Sequence, residues 1–174
     1  MTTSYYHISL TNDVIGLESA VALKNAYALS VAMTIGLVNR HHGEEAGLHY
    51  NSQAGAFYQA TKEMSRLLKI QGASEDCVYI GIGDLYVTVY GGRTRLVGIL
   101  LGRGLDIDEA KAELNGVTLE SLVVAVRVAR AIKILAAQEK VDPRDYPLLM
   151  HVDAILSDKA NVDIPWEDFT FVKK

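Results

Sequence analysis

The sequence predicts an all-α domain, a multi-helix bundle, preceded by one short N-terminal strand. Three observations carry this. Apolar residues recur at spacings of three and four through most of the chain. Glycine- and proline-punctuated polar stretches separate those segments at helix-length intervals. Outside residues 4–10, strand-favouring composition recurs only over 75–89, where propensity leaves strand and helix open.

Taken in order, residues 4–10 (SYYHISL) read as a strand from their aromatic and β-branched content, with no partner strand nearby. An unpaired strand edge is a liability, so its sheet is expected to lie outside this chain. Thr11, Asn12 and Asp13 supply turn and cap chemistry. A long helix follows over about 15–40, with Leu17, Val21, Lys24, Ala28, Val31 and Ile35 in helical register. Apolar residues cover much of its circumference, which predicts a buried helix. The stretch 41–50 (HHGEEAGLHY) reads as a loop, and its His41–His42 doublet, with no third ligand in view, as solvated. A second helix is expected over about 52–70, with Phe57, Met64 and Leu67 facing inward and Gly72 closing it.

Residues 75–89 are ambiguous between strand and helix by propensity alone. Gly91 and Gly92 mark a sharp turn. Helices then fit about 95–103, 108–114 and 119–138, and Pro143 and Pro147 lead into a last helix near 148–156. In the polar tail, Trp166, Phe169 and Phe171 are expected to pack, because they would otherwise be exposed. The domain division is therefore a junction strand and linker over 1–13 and one helical domain over 14–174.

Composition narrows the function. The chain has 174 residues, enough for one domain with a core, and a formal net charge of −4. A mildly acidic chain has no electrostatic reason to hold nucleic acid. Cys77 is the only cysteine, so no internal disulfide can form, and a reducing compartment suits it. The N-terminus lacks the features of a signal peptide, and no run of about 18 apolar residues predicts a membrane span. A cytoplasmic, soluble protein is expected. Gly81 and Gly83 begin a dinucleotide-like fingerprint, but its third glycine is missing and no βαβ pattern follows. Phosphate-loop, zinc-protease, nucleophile-elbow and clustered zinc-ligand patterns are absent.

Three stretches carry a family resemblance. The run 13–18 (DVIGLE) is followed by 22–25 (ALKN). The run 81–85 (GIGDL) is followed by Thr88 and by 90–93 (YGGR). Leu114, Asn115 and Gly116 precede Glu120. In this order and spacing they resemble the C-terminal, substrate-binding half of NAD(P)-dependent glycerol-3-phosphate dehydrogenase, over roughly residues 5–155.

The resemblance implies a helical fold like the C-terminal domain of 6-phosphogluconate dehydrogenase, and it settles 75–89 as helical. It implies that the dinucleotide-binding Rossmann domain is absent from this chain and that residues 4–10 are its last strand. A domain excised from a longer parent is then expected in preference to a natural half-protein.

The implied reaction interconverts glycerol 3-phosphate and dihydroxyacetone phosphate with NAD or NADP. Oxidising a secondary alcohol needs a base for the hydroxyl proton, and the reverse needs an acid. Lysine serves both ways when burial or a like charge lowers its pKa from about 10.4 toward about 7–8. By resemblance Lys24 is that lysine and Asn25 orients substrate, whereas position alone reads Lys24 as a snorkelling lysine on a half-buried helix. Asp84 and Thr88, four apart, share a helix face. Asp84 suits the role of holding and orienting the Lys24 charge, and Thr88 can hydrogen-bond a substrate hydroxyl, against a capping Asp and a back-bonded Thr. Arg93, following two glycines at a helix start, suits a phosphate. By resemblance it contacts the substrate phosphate and the cofactor, with Thr94 beside it and Glu120 on the cofactor.

The chain also departs from the family. Thr94 replaces an asparagine, Ser19–Ala20–Val21 stands where two glycines are usual, and 49–51 (HYN) replaces GDN. Ser121 stands where glycine is typical, and the family's second lysine belongs to the missing domain. The expected partners are the small substrate, an N-terminal cofactor domain and, from surface that domain would leave exposed, a second copy of the chain. Two other readings remain open. One is a cofactor-free module that binds a phosphometabolite or a protein. The other is a different member of the hydroxyacid and phosphogluconate dehydrogenase superfamily, against which the YGGR segment argues.

Overall fold

A computed structural model describes residues 2–47, 49–115 and 120–169, and those residues form seven α-helices. They are α1 (Val14–His42), α2 (Tyr50–Ile70), α3 (Glu75–Tyr90), α4 (Gly92–Gly102), α5 (Ile107–Glu113), α6 (Glu120–Ala137) and α7 (Pro147–Asp158), with 3-10 turns at Pro143–Asp145 and Trp166–Asp168. The helical expectation is met throughout, including α3.

The N-terminal strand is not formed. Residues 2–12 run as exposed coil, with Tyr5 87% and Leu10 94% accessible. The physical reason is the missing partner: β structure needs a neighbour for its backbone groups, and among the described residues none is present.

Asp13 starts the bundle. One carboxylate oxygen accepts from Gly16 N at 2.8 Å and caps α1, while the other accepts from Ser74 N at 2.7 Å at the start of α3. One side chain thus staples two helix N-termini. Those backbone donors hold the Asp13 carboxyl below its usual range. Glycine at 16 follows from this, because a Cβ there would land on the carboxylate.

The centre is α1, which touches α2, α3, α4, α6 and α7. By length and apolar content α1 could cross a membrane, although no uninterrupted apolar run is present. Five helices bury it instead, and Tyr27, Leu29 and Met33 are fully enclosed. Its contact with α4 is backbone to backbone. A Cβ on Gly98 would sit 2.6 Å from the Leu29 carbonyl oxygen, and one on Gly36 or Gly102 would collide with the opposite helix. We expect Gly98→Ala to lower unfolding free energy by about 1–3 kcal/mol. Gly83→Ala, on a helix position with nothing within 4 Å, should instead stabilise by up to about 1 kcal/mol. Urea denaturation of both variants checks the pair.

Helix ends follow local chemistry. At the end of α2, Gly72 takes φ 74°, and Gly72 N and Ala73 N donate to the Lys69 and Leu68 carbonyls. This is a Schellman closure, as Gly72 predicted. Asp106 and Glu109 form a capping box on α5. In the tail, Phe169 is buried, and Trp166 stays 44% exposed while its ring lies over Gly55 of α2. Phe171 lies outside the described residues.

A buried carboxylate fixes α7. Glu63 of α2 is fully inaccessible, and its oxygens accept from Leu148 N at 2.9 Å, Leu149 N at 3.0 Å and Gln59 Nε2 at 2.8 Å. The first turn of α7 therefore docks on an acid, as its dipole favours. Burial pushes the Glu63 carboxyl up to about 7, against the pull of those donors. Tyr27 Oη is buried near it without a hydrogen bond of good geometry.

Candidate active site

The site grows from one helix crossing. At Gly81 of α3, a Cβ would lie 3.0 Å from Ala20 Cβ and 2.9 Å from Met64 Cε, so glycine there admits the close approach of α3 to α1. Lys24 is one turn beyond Ala20, and Asp84 is three residues beyond Gly81. The crossing delivers both to one point: Lys24 Nζ lies 2.5 Å from Asp84 Oδ2, with the side chains 18% and 32% accessible. An ammonium held by a carboxylate at a partly open position is oriented without being sealed away.

Asn25 follows on α1 and is half-buried. Thr88 is also half-buried, one turn past Asp84, and its hydroxyl donates to the Asp84 carbonyl at 2.7 Å. That leaves Thr88 Oγ1 able to accept. Gly92, with φ 83°, is the turn residue that glycine alone adopts easily. It starts α4, whose N-cap Gly91 offers no side-chain cap, so the first N–H groups remain open beside the exposed Arg93. Thr94 turns inward: it is buried, and its Oγ1 lies 3.3 Å from Ser121 Oγ at the start of α6. Glu120 is exposed in the first turn of α6, where a negative charge suits the dipole. Gly116 lies outside the described residues.

The structure therefore brings Lys24 and Asp84 into contact and sets Thr88 one turn further along α3. Arg93 stands past that helix's end: about 9 Å of rise separates Asp84 from Tyr90, before the Gly91–Gly92 turn. Within about one turn of the ion pair along the same helices, Val21 of α1 and Ile80 and Val87 of α3 are exposed. Gly81 and Gly83 are helical, so they form no phosphate loop.

Sequence reading missed the double role of Asp13, the Thr94–Ser121 pair and the Glu63 clamp. Only Glu63 left a signal: with Ala56, Ala60 and Leu67 it falls on the inward stripe of α2, where a charge is out of place.

The chain belongs to the family described as NAD-dependent glycerol-3-phosphate dehydrogenase C-terminus, which matches residues 13–167. Among curated relatives, the NADP(+)-dependent glycerol-3-phosphate dehydrogenase of Archaeoglobus fulgidus is 38% identical over 115 residues, covering 65% of this chain and 33% of the relative. The glycerol-3-phosphate dehydrogenase [NAD(P)+] of Mycobacterium avium is 32% identical over 165 residues, covering 92% and 43%. The crystal structure of glycerol-3-phosphate dehydrogenase from Coxiella burnetii superposes with a TM-score of 0.71 at 25% identity, covering 94% of this chain and 47% of that one. The chain thus spans less than half the length of these relatives.

Proposed function

We propose that this domain binds glycerol 3-phosphate or dihydroxyacetone phosphate and supplies the group that moves the substrate's oxygen-bound proton. NAD or NADP, held mainly by a separate cofactor-binding unit, would supply the hydride chemistry. The single observation carrying the reading is the Lys24–Asp84 pair at the α1–α3 crossing.

An ammonium fixed by a carboxylate is the proton-donor form, suited to protonating the oxygen of dihydroxyacetone phosphate. In the reverse direction the same nitrogen, once neutral, takes the hydroxyl proton. Asn25 and Thr88 orient the substrate's oxygens, and Arg93 with the open N–H groups of α4 takes the phosphate. Thr94, buried with its hydroxyl turned to Ser121, acts on substrate only indirectly, by supporting the Arg93 turn from behind. Arg93 and Glu120 are the groups that reach the cofactor.

The cofactor-binding unit docks over the exposed apolar residues beside the ion pair, and residues 4–10 complete its sheet as an added strand. A second copy of the chain would compete for the same apolar surface. Gly83, with open space around it, leaves room for that approach beside Asp84. Cys77 is buried as a free thiol, which suits the reducing compartment this reading expects.

Calorimetry of the 174-residue chain tests the proposal. Weak binding of glycerol 3-phosphate, no binding of NADH, and a loss of about tenfold or more in affinity in Arg93→Ala are expected. Glycerol 3-phosphate binding that Arg93→Ala leaves intact would refute the phosphate assignment. No binding of either compound, with stable self-association, would favour a structural helical module.

A further inference from the structure

The α2–α3 groove lies outside the site just described. Ile82 lines it, and Ile82 and Asp84 point roughly 200° apart around α3, so the groove opens away from the ion pair. It encloses about 660 Å³. Its α2 wall carries Lys62, Arg66 and Lys69, which the spacing of four and three sets on one helix face. Cations in that register repel one another and cost helix stability. Against these three cations the groove lining holds one carboxylate, Glu75, which is engaged at 2.8 Å by the Tyr79 hydroxyl. This concentration stands in a chain of net charge −4.

Two of the cations are held in place. Arg66 is tied to Asp145, with Nη1 2.6 Å from the carbonyl oxygen and Nη2 3.4 Å from the carboxylate. Lys62 Nζ sits 5.5 Å over the Tyr58 ring. Ser65 adds a hydroxyl to the lining, and Val78, Tyr79 and Ile82 line its α3 side with apolar surface. A fixed cationic edge beside an apolar wall matches a molecule with the opposite layout.

We propose that this groove is a binding site for a small organic anion that carries a phosphate on an apolar body. The phosphate lies among Lys62, Ser65 and Lys69, and the carbon body lies on Val78, Ile82 and Tyr79. The site is independent of the substrate assignment above.

The test is a 1H–15N NMR titration of the full chain at constant ionic strength, with inorganic phosphate and then phenyl phosphate as probes. Saturable shifts at Ser65, Lys69, Val78 and Tyr79 are expected, with phenyl phosphate binding about tenfold more tightly than inorganic phosphate. Lys62→Ala/Lys69→Ala should weaken phenyl phosphate at these residues by about tenfold or more, while Arg93→Ala leaves them unchanged. Lys69 is exposed and Lys62 half-buried, and a far-ultraviolet circular dichroism melt checks that the double variant stays folded. Linear, unsaturating shifts overturn the proposal. So do saturable shifts that persist in the double variant, or that appear only around Arg93.

Discussion

Lys24→Ala should lower kcat by roughly 10²–10⁴-fold in the proposed assembly of this domain with a cofactor-binding unit. The expectation follows from the geometry, because Lys24 is the group Asp84 holds at the α1–α3 crossing, 2.5 Å away. Lys24→Arg should be nearly as slow. A guanidinium keeps the charge opposite Asp84 yet cannot give up its proton in this pH range. Folding should survive both changes: the pair is partly exposed, and such pairs contribute at most about 1 kcal/mol. Steady-state kinetics with a thermal melt separate the outcomes. A kcat for Lys24→Ala within about threefold of the parent would end the proton-transfer assignment.

The second large effect is on stability. Glu63→Ala should cost about 3–5 kcal/mol, because the Leu148 and Leu149 N–H groups and the Gln59 amide all lose a buried acceptor. The wild-type protein also carries a pH signature. Burial raises the Glu63 carboxyl from 4.5 to about 7 in the folded state. Between those values the native chain holds a proton that the unfolded chain has released. The stability linked to this proton is therefore full below about pH 4.5 and lost as pH rises toward 7, a change of about 3 kcal/mol. Asp13 acts with the opposite sign. Its carboxyl is lowered by its backbone donors, so its contribution is lost as pH falls below the ordinary aspartate range. Glu63→Gln, neutral throughout, should flatten the slope between pH 4.5 and 7 while leaving the acid-side loss in place. Urea titrations from below the ordinary aspartate range up to about pH 7 read both; a Glu63→Gln slope between pH 4.5 and 7 matching wild type would show that another group titrates.

Much of the bundle was legible in the sequence because its causes are local. The spacing of apolar residues placed the helices, and Gly72 closed α2 by the backbone conformation that glycine allows. Residues 75–90 were not legible from propensity. Val78, Ile80, Val87 and Val89 favour strands, and the segment is helical because α1 and α2 offer it a surface with helical, not pleated, spacing. Residues 4–10 show the converse. Their composition favours a strand, but a strand forms only against a partner, and the described residues provide none.

The candidate site divides along the same line. Residue order alone singled out Lys24, Asn25, Asp84, Thr88, Arg93, Thr94 and Glu120, since a resemblance in spacing needs no coordinates. Only the folded chain decided that Lys24 and Asp84 touch, that Thr94 faces Ser121, and that a lone acid on α2 receives the start of α7. Those facts depend on how closely helices cross, and the crossing distance is set at Gly81, Gly36, Gly98 and Gly102 by the side chain each lacks. A missing side chain leaves no periodic trace in the sequence, which is why the contacts it permits emerge only in three dimensions.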